Sequence, residues 1–373
     1  MHALLAAAPI TVSRLIERGT FTPSPTPTPQ AARFGAFKTG IMFGFNMNAY
    51  QGFNENVYGK IDPAPRTLYQ NDRTTFNVEA WADFCKSVGA QYAVITMGNE
   101  FGFQLYETKV PYRFAQIPMT GTRTNGTTAM SPCNPFPYCV KPGIGDVSLI
   151  DRFCVAMRKR GIEPVPYMNM TLNMNIGDRH TGNGQPAQRV QDIINYNAEL
   201  VQEYLLRFKF KYLWWDVCAV GPGISPAAYQ KWYNAVKSID PTCMVLGNAI
   251  GTTDFSFYPY DLQSTEAMYP NVASVAGNRF RLHAGTNYQI PQEMVETPIG
   301  NAGASIYQWY YTPPAAPVQA SYAQNTVRPL ADMQALTNSA RTNGCPILWN
   351  MCVDAAGVMI PANVTAIQQM NLA

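Results

Sequence analysis

The chain has 373 residues, of which only 14% are Asp, Glu, Lys or Arg, against ~25% in an ordinary globular protein. Its 27 basic and 24 acidic residues leave a formal charge of +3, which excludes the basic footprint of a nucleic-acid binder, and no segment approaches the ~18 uninterrupted apolar residues of a membrane helix. The length suits one large domain with extensions, and 12% Phe, Trp and Tyr beside many Asn, Gln, Thr and Ser residues suits neutral polyhydroxylated ligands or protein neighbours.

The N-terminal stretch MHALLAAAPITVSRLIERGT is apolar over too short a length to span a bilayer and has no basic stretch ahead of it. Residues 1–21 read as an arm, either an attachment peptide or a leader. TPSPTPTPQ (Thr22 to Gln30) follows, and its alternating prolines predict an extended linker over residues 22–32. From 33 to 373 strand-like and helical runs alternate. The strand candidates are GIMFGFNM (40–47), QYAVITM (91–97), EPVPYMNM (163–170), KYLWWDVC (211–218), TCMVLGNA (242–249), LQSTEAM (262–268), ASIYQWYY (304–311) and CPILWNMC (345–352). Amphipathic helical runs precede the second to fifth and the eighth of them, such as NVEAWADFCKSVG, QRVQDIINYNAELVQEYLLRF and RPLADMQALTNSARTNG. Eight β/α units predict a (β/α)8 TIM barrel, somewhat irregular. An open doubly wound sheet is the alternative, but no GxGxxG turn follows the first strand.

Of the eight cysteines, Cys218, Cys243, Cys345 and Cys352 lie in strand-like runs where buried thiols are common. Cys133 and Cys139 bracket the Pro-rich loop CNPFPYC and could close a small disulfide ring in an oxidising compartment. With three histidines (His2, His180, His283) and no CxxC or HxxxH spacing, no metal site is expected, and no cofactor is implied.

KYLWWDVC places one carboxylate, Asp216, directly after an aromatic-rich apolar strand. An isolated carboxylate is costly to bury, so an acid there sits at a strand's C-terminal rim, which in a parallel barrel is the active face. The plainer reading is that Asp216 caps the turn leading into VGPGISP.

Along nearly the whole barrel the sequence resembles the family 29 glycoside hydrolases, the retaining α-L-fucosidases. WADFCKSVGAQYAVITMGNEFGFQLYET resembles the family's segment ending in KHHDGF-x-Leu-Trp, LWWDV its Leu-Trp-x-Asp nucleophile strand, and DLQSTEAMYP its Asp-x-x-Thr-x-Glu segment. MVETPIGNAGASIYQWYY and LADMQALTNSARTNGCPILWNMCVDAAGVMIP resemble its last two motifs, so five matches fall in order. The resemblance implies Asp216 as nucleophile and Glu266 as general acid/base, the two carboxylates that retaining hydrolysis uses. It also implies a pocket carboxylate at Glu296, while neighbouring Glu293 reads as a solvated loop residue. The C-terminal β-sandwich that family members append is not expected here.

The sequence also departs from the family. Gly44 and Phe45 replace its His-Trp pair, Gly98 to Phe103 replace KHHDGF, and Ile250 replaces its pocket Arg. A site built to bond a particular hydroxyl discriminates strongly when the partner is lost, so an altered sugar is expected, with Asn99, Glu100 and Asn169 as polar contacts and Tyr167, Trp214, Trp215 and Trp309 as stacking faces. The plainer alternative has Glu100 paired with a neighbouring cation and the tryptophans filling the core. Two functions follow. One is a glycosidase acting on a deoxy-sugar or related glycan. The other is a carbohydrate-binding or structural subunit of a virion fibre or surface assembly, a homo-oligomer or larger complex held by the N-terminal arm. Both favour an extracellular or virion-surface location over the cytoplasm.

Overall fold

The computed structural model describes residues 15–45, 76–98, 104–106, 108–110, 148–170, 187–216, 225–248, 258–266, 278–299, 327–354, 356–370 and 372, with 187–190, 266 and 278–280 described by backbone alone. The strands are β1 (Thr39–Gly44), β2 (Tyr92–Gly98), β3 (Glu163–Asn169), β4 (Tyr212–Asp216), β5 (Met244–Asn248), β6 (Leu262–Glu266), β7 (Asn278–His283), β8 (Thr286–Glu296) and β9 (Ile347–Cys352). The helices are α1 (Pro29–Gly35), α2 (Val78–Ser87), α3 (Leu149–Lys159), α4 (Ala187–Phe208), α5 (Pro226–Ile239), α6 (Leu330–Thr342) and α7 (Pro361–Gln369).

β1 to β6 pair in sequence, β6 pairs with the second half of β8, β8 with β9, and β9 returns to β1, every pairing parallel. Eight strands therefore close into the expected (β/α)8 barrel. Period-two alternation sorts each strand's side chains to two sides. Val94, Tyr167, Trp214, Leu246, Val295 and Leu348 fill the barrel interior. Ile41, Ile95, Trp215, Val245, Met294 and Trp349 pack outward against the helices. Gly40 is dictated by this packing, because a Cβ there would lie 2.3 Å from the Tyr92 ring.

Two differences from the sequence reading concern the frame of the site. The seventh barrel strand is the second half of β8, Gln292 to Glu296, paired with β6 and β9, whereas the expected run 304–311 lies outside the described residues. β8 is also one arm of a hairpin whose other arm, β7, runs antiparallel to its first half and stands outside the closed ring.

The Pro/Thr run is not a free linker either. Its extended chain ends at Thr28, whose hydroxyl caps α1, and Pro29 opens that helix, as proline can in a first turn. The preceding segment lies along α4 and α5: Ile16 N–H bonds Gln202 Oε1 at 2.9 Å and Phe21 N–H bonds Asn234 Oδ1 at 2.9 Å. Gln289 N–H then bonds Pro25 O at 2.8 Å. α1 sets Phe34 between Tyr92 and Tyr212, centroids 5.1 Å from each, and so closes the N-terminal end of the barrel.

Cys85, Cys154, Cys243, Cys345 and Cys352 are buried; Cys133, Cys139 and Cys218 lie outside the described residues. Among the described residues no helix is long and apolar enough to cross a membrane.

Candidate active site

The C-terminal rim of the barrel is built by strand ends held in register. Asn169 of β3 sits beside Asp216 of β4, and Asp216 beside Asn248 of β5. Asn248 in turn sits beside Ser264 of β6. Asp216 is only partly buried, and its backbone carbonyl accepts from Met170 N–H at 3.0 Å, fixing the strand end. The Tyr167 hydroxyl donates to Asp216 Oδ2 at 2.5 Å, and Asn169 Nδ2 approaches the same oxygen at 3.4 Å. The phenol is the strong bond, since 3.4 Å is at the limit for an N–H donor.

Trp214 precedes Asp216 by two residues and therefore shares its face. Its indole stacks on Tyr167, centroids 5.1 Å apart and tilted by 25°. Trp215 points the other way: it is buried among the helices with Trp232 edge-on at 6.4 Å, so it packs the shell and does not face the rim. Glu296 also faces outward, level with Trp349, and forms a fully buried ion pair with Arg328 at 3.0 Å. Its carboxylate belongs to the strand–helix layer.

Glu266 ends β6 at the same rim, level with Val295 of β8. Alternation puts position 266 on the strand face of Ser264; its side chain lies outside the described part of the molecule. Asn99, Glu100 and Trp309 also lie outside the described residues.

The sequence reading missed the interior's own polar set. Glu293, expected on a solvated loop, is a fully buried β8 residue inside the barrel. Tyr92 Oη donates to its Oε2 at 2.5 Å, while Trp214 Nε1 and Ser264 Oγ donate to Oε1 at 2.8 and 2.7 Å. Burial pushes this carboxyl up to about 7, against the opposing pull of those three hydrogen bonds. Asn248 and Asn350 are fully buried polar residues in the strand runs MVLGN and ILWNMC, and a polar side chain near the C-terminal end of an apolar run is the signal that would have found them. Among the described residues no group of three or more His, Cys, Asp or Glu could hold a metal ion.

An oriented carboxylate at the C-terminal end of a barrel strand stands on the face where barrels of this fold carry their catalytic residues. Solved structures resemble this chain over most of its length. They include an α-L-fucosidase from Lactobacillus casei in complex with its α-L-fucose product (TM-score 0.60, 15% identity, 92% of this chain and 97% of that one). An α-L-fucosidase isoenzyme from Paenibacillus thiaminolyticus matches at TM-score 0.62 and 15% identity, over 92% of this chain and 74% of that one. A family 29 α-L-fucosidase from Bacteroides thetaiotaomicron matches at TM-score 0.64 and 13% identity, over 95% and 75%. At such identities the likeness establishes the (β/α)8 barrel fold and nothing finer. Neither a protein-family model nor a curated protein matches the sequence.

Proposed function

We propose that this chain is a retaining glycoside hydrolase of α-L-fucosidase-like type with altered sugar specificity. The observation that carries this reading is Asp216 at the end of β4, held by the Tyr167 hydroxyl at 2.5 Å, in a barrel of fucosidase shape. Asp216 attacks the anomeric carbon and forms a glycosyl–enzyme ester, while Glu266 protonates the departing glycosidic oxygen. Glu266 then takes a proton from water as that water displaces Asp216, which returns the sugar with its configuration retained. The two carboxyl groups must then stand about 5 to 5.5 Å apart in the loaded enzyme. Tyr167 and Trp214 offer aromatic faces beside the nucleophile, and Asn169 offers a hydroxyl partner at the rim.

A panel of aryl α- and β-glycosides of deoxy-sugars and related sugars tests this, with Asp216→Asn and Glu266→Gln as controls. Turnover of one glycoside that falls by about four orders of magnitude or more in Asp216→Asn supports it. Turnover that survives in that variant overturns it.

A second reading is favoured by Gly44, Asn99, Glu100 and Ile250 standing where the resemblance calls for histidines and an arginine: a carbohydrate-binding or structural subunit without turnover. Saturable glycan binding with no hydrolysis, equal in wild type and Asp216→Asn, selects it.

A further inference from the structure

The barrel interior carries a buried carboxyl group. Removing an ion from water costs several kcal/mol, and hydrogen bonds are what offset that cost. Glu293, fully buried, takes them from Tyr92 of β2, Trp214 of β4 and Ser264 of β6.

The Trp214 contact has a consequence at the rim. An indole has a single N–H donor, so the 2.8 Å bond from Nε1 to Glu293 Oε1 fixes the rotation of the ring about its own side chain. Tyr167 lies on that ring in an offset stack, 5.1 Å between centroids with a 25° tilt, a geometry aromatic pairs prefer. The far end of Tyr167 is the hydroxyl that bonds Asp216 Oδ2 at 2.5 Å. An unbroken run of contacts, one ionic hydrogen bond, one ring stack and one short hydrogen bond, therefore joins Glu293 to Asp216 through Trp214 and Tyr167.

We propose that Glu293 is a positioning residue for Asp216: by fixing the Trp214 indole it fixes the Tyr167 ring, and through the Tyr167 hydroxyl it sets the orientation of the Asp216 carboxylate. This rests on the reading of Asp216 as the reacting group, and the geometric part of the test stands apart from it.

The test compares Glu293→Leu with Glu293→Gln. Both remove the charge, but only Gln keeps an oxygen that can accept from the indole. Crystal structures of the two variants are expected to show the Tyr167–Asp216 contact opened beyond about 3.5 Å, outside hydrogen-bond range, in Glu293→Leu and kept in Glu293→Gln. If the leucine variant does not fold, Trp214→Phe takes its place, since it retains a stacking ring and deletes the N–H. On a turned-over glycoside, kcat is expected to fall about tenfold in Glu293→Leu, which corresponds to one lost orienting interaction, with KM within about twofold and recovery in Glu293→Gln.

An unmoved Tyr167–Asp216 contact in both Glu293→Leu and Trp214→Phe overturns the proposal, as does equal displacement in the leucine and glutamine variants. Absence of turnover in the wild type counts against the functional reading, while the crystallographic comparison still decides the positioning role.

Discussion

Burial of the Glu293 carboxyl inside the barrel pushes its pKa up from 4.5 to about 7, against the pull of the Tyr92, Trp214 and Ser264 hydrogen bonds. The folded protein thus holds this proton more tightly than the unfolded chain does. Its contribution to stability is full below about pH 4.5 and is lost as pH rises through about 7, a change of about 3 kcal/mol. Glu293→Gln removes the titrating group, so the stability difference between wild type and variant should drift by about that amount between pH 5 and 8, to the disadvantage of the wild type at the alkaline end. Urea unfolding of both proteins across this range measures it. Curves that stay parallel would show that folding does not raise the pKa of this carboxyl.

At the scale of elements, α4 holds the chain that follows β2 through neighbouring side chains. Glu203, buried, accepts from the Tyr106 hydroxyl, the Thr108 hydroxyl and the Lys109 N–H. Tyr204 beside it donates to Gln104 Oε1 at 2.6 Å. Glu203→Ala leaves three donors without their acceptor and should cost about 3 kcal/mol, since each buried unsatisfied group costs ~1–3 kcal/mol. Trypsin should also cut faster after Lys109, and unchanged cleavage and unfolding midpoint together would refute the anchoring role.

Legibility in the sequence follows the same divide between local and distant partners. Runs such as QYAVITM and KYLWWDVC, flanked by amphipathic helices, carry their periodicity within a dozen residues, so the barrel could be read from them. Asp216 stood out because an acid ends an apolar run. The second half of β8, QEMVE, did not read as a strand because Glu293 looks solvated and Glu296 looks like a pocket carboxylate until their partners are known. Those partners lie far off in the chain: Tyr92 is 201 residues from Glu293, Trp214 79 and Ser264 29, while Arg328 is 32 from Glu296. Trp214 and Trp215 could not be told apart as stacking and packing residues until closure of the barrel fixed which side of β4 faces inward.

For the whole molecule, the N-terminal segment decides whether the barrel is a unit hung on an arm or a unit that the arm helps to build. Residues from Ile16 to Phe37 bind α4 and α5, meet β8 at Pro25, and insert α1 into the open end of the barrel. Phe34 is 1% exposed, with the rings of Phe37, Tyr92 and Tyr212 within 5.6 Å of its own, so it is a core residue contributed from outside the strand–helix repeat. Phe34→Ala should cost about 3 to 5 kcal/mol, the usual loss for a buried phenylalanine. Truncation before Pro29 should also lower the unfolding midpoint, because it strips the bonds to Gln202, Asn234 and Gln289 and exposes the faces of α4 and α5 beneath. An arm serving attachment alone predicts the opposite, a truncated protein as stable as the full chain. Thermal unfolding of the two variants beside the wild type separates these outcomes. Loss of stability in both would mean that an anchoring role for this segment has to be sought in residues ahead of Ile16, since those from Ile16 onward are already engaged in closing the barrel.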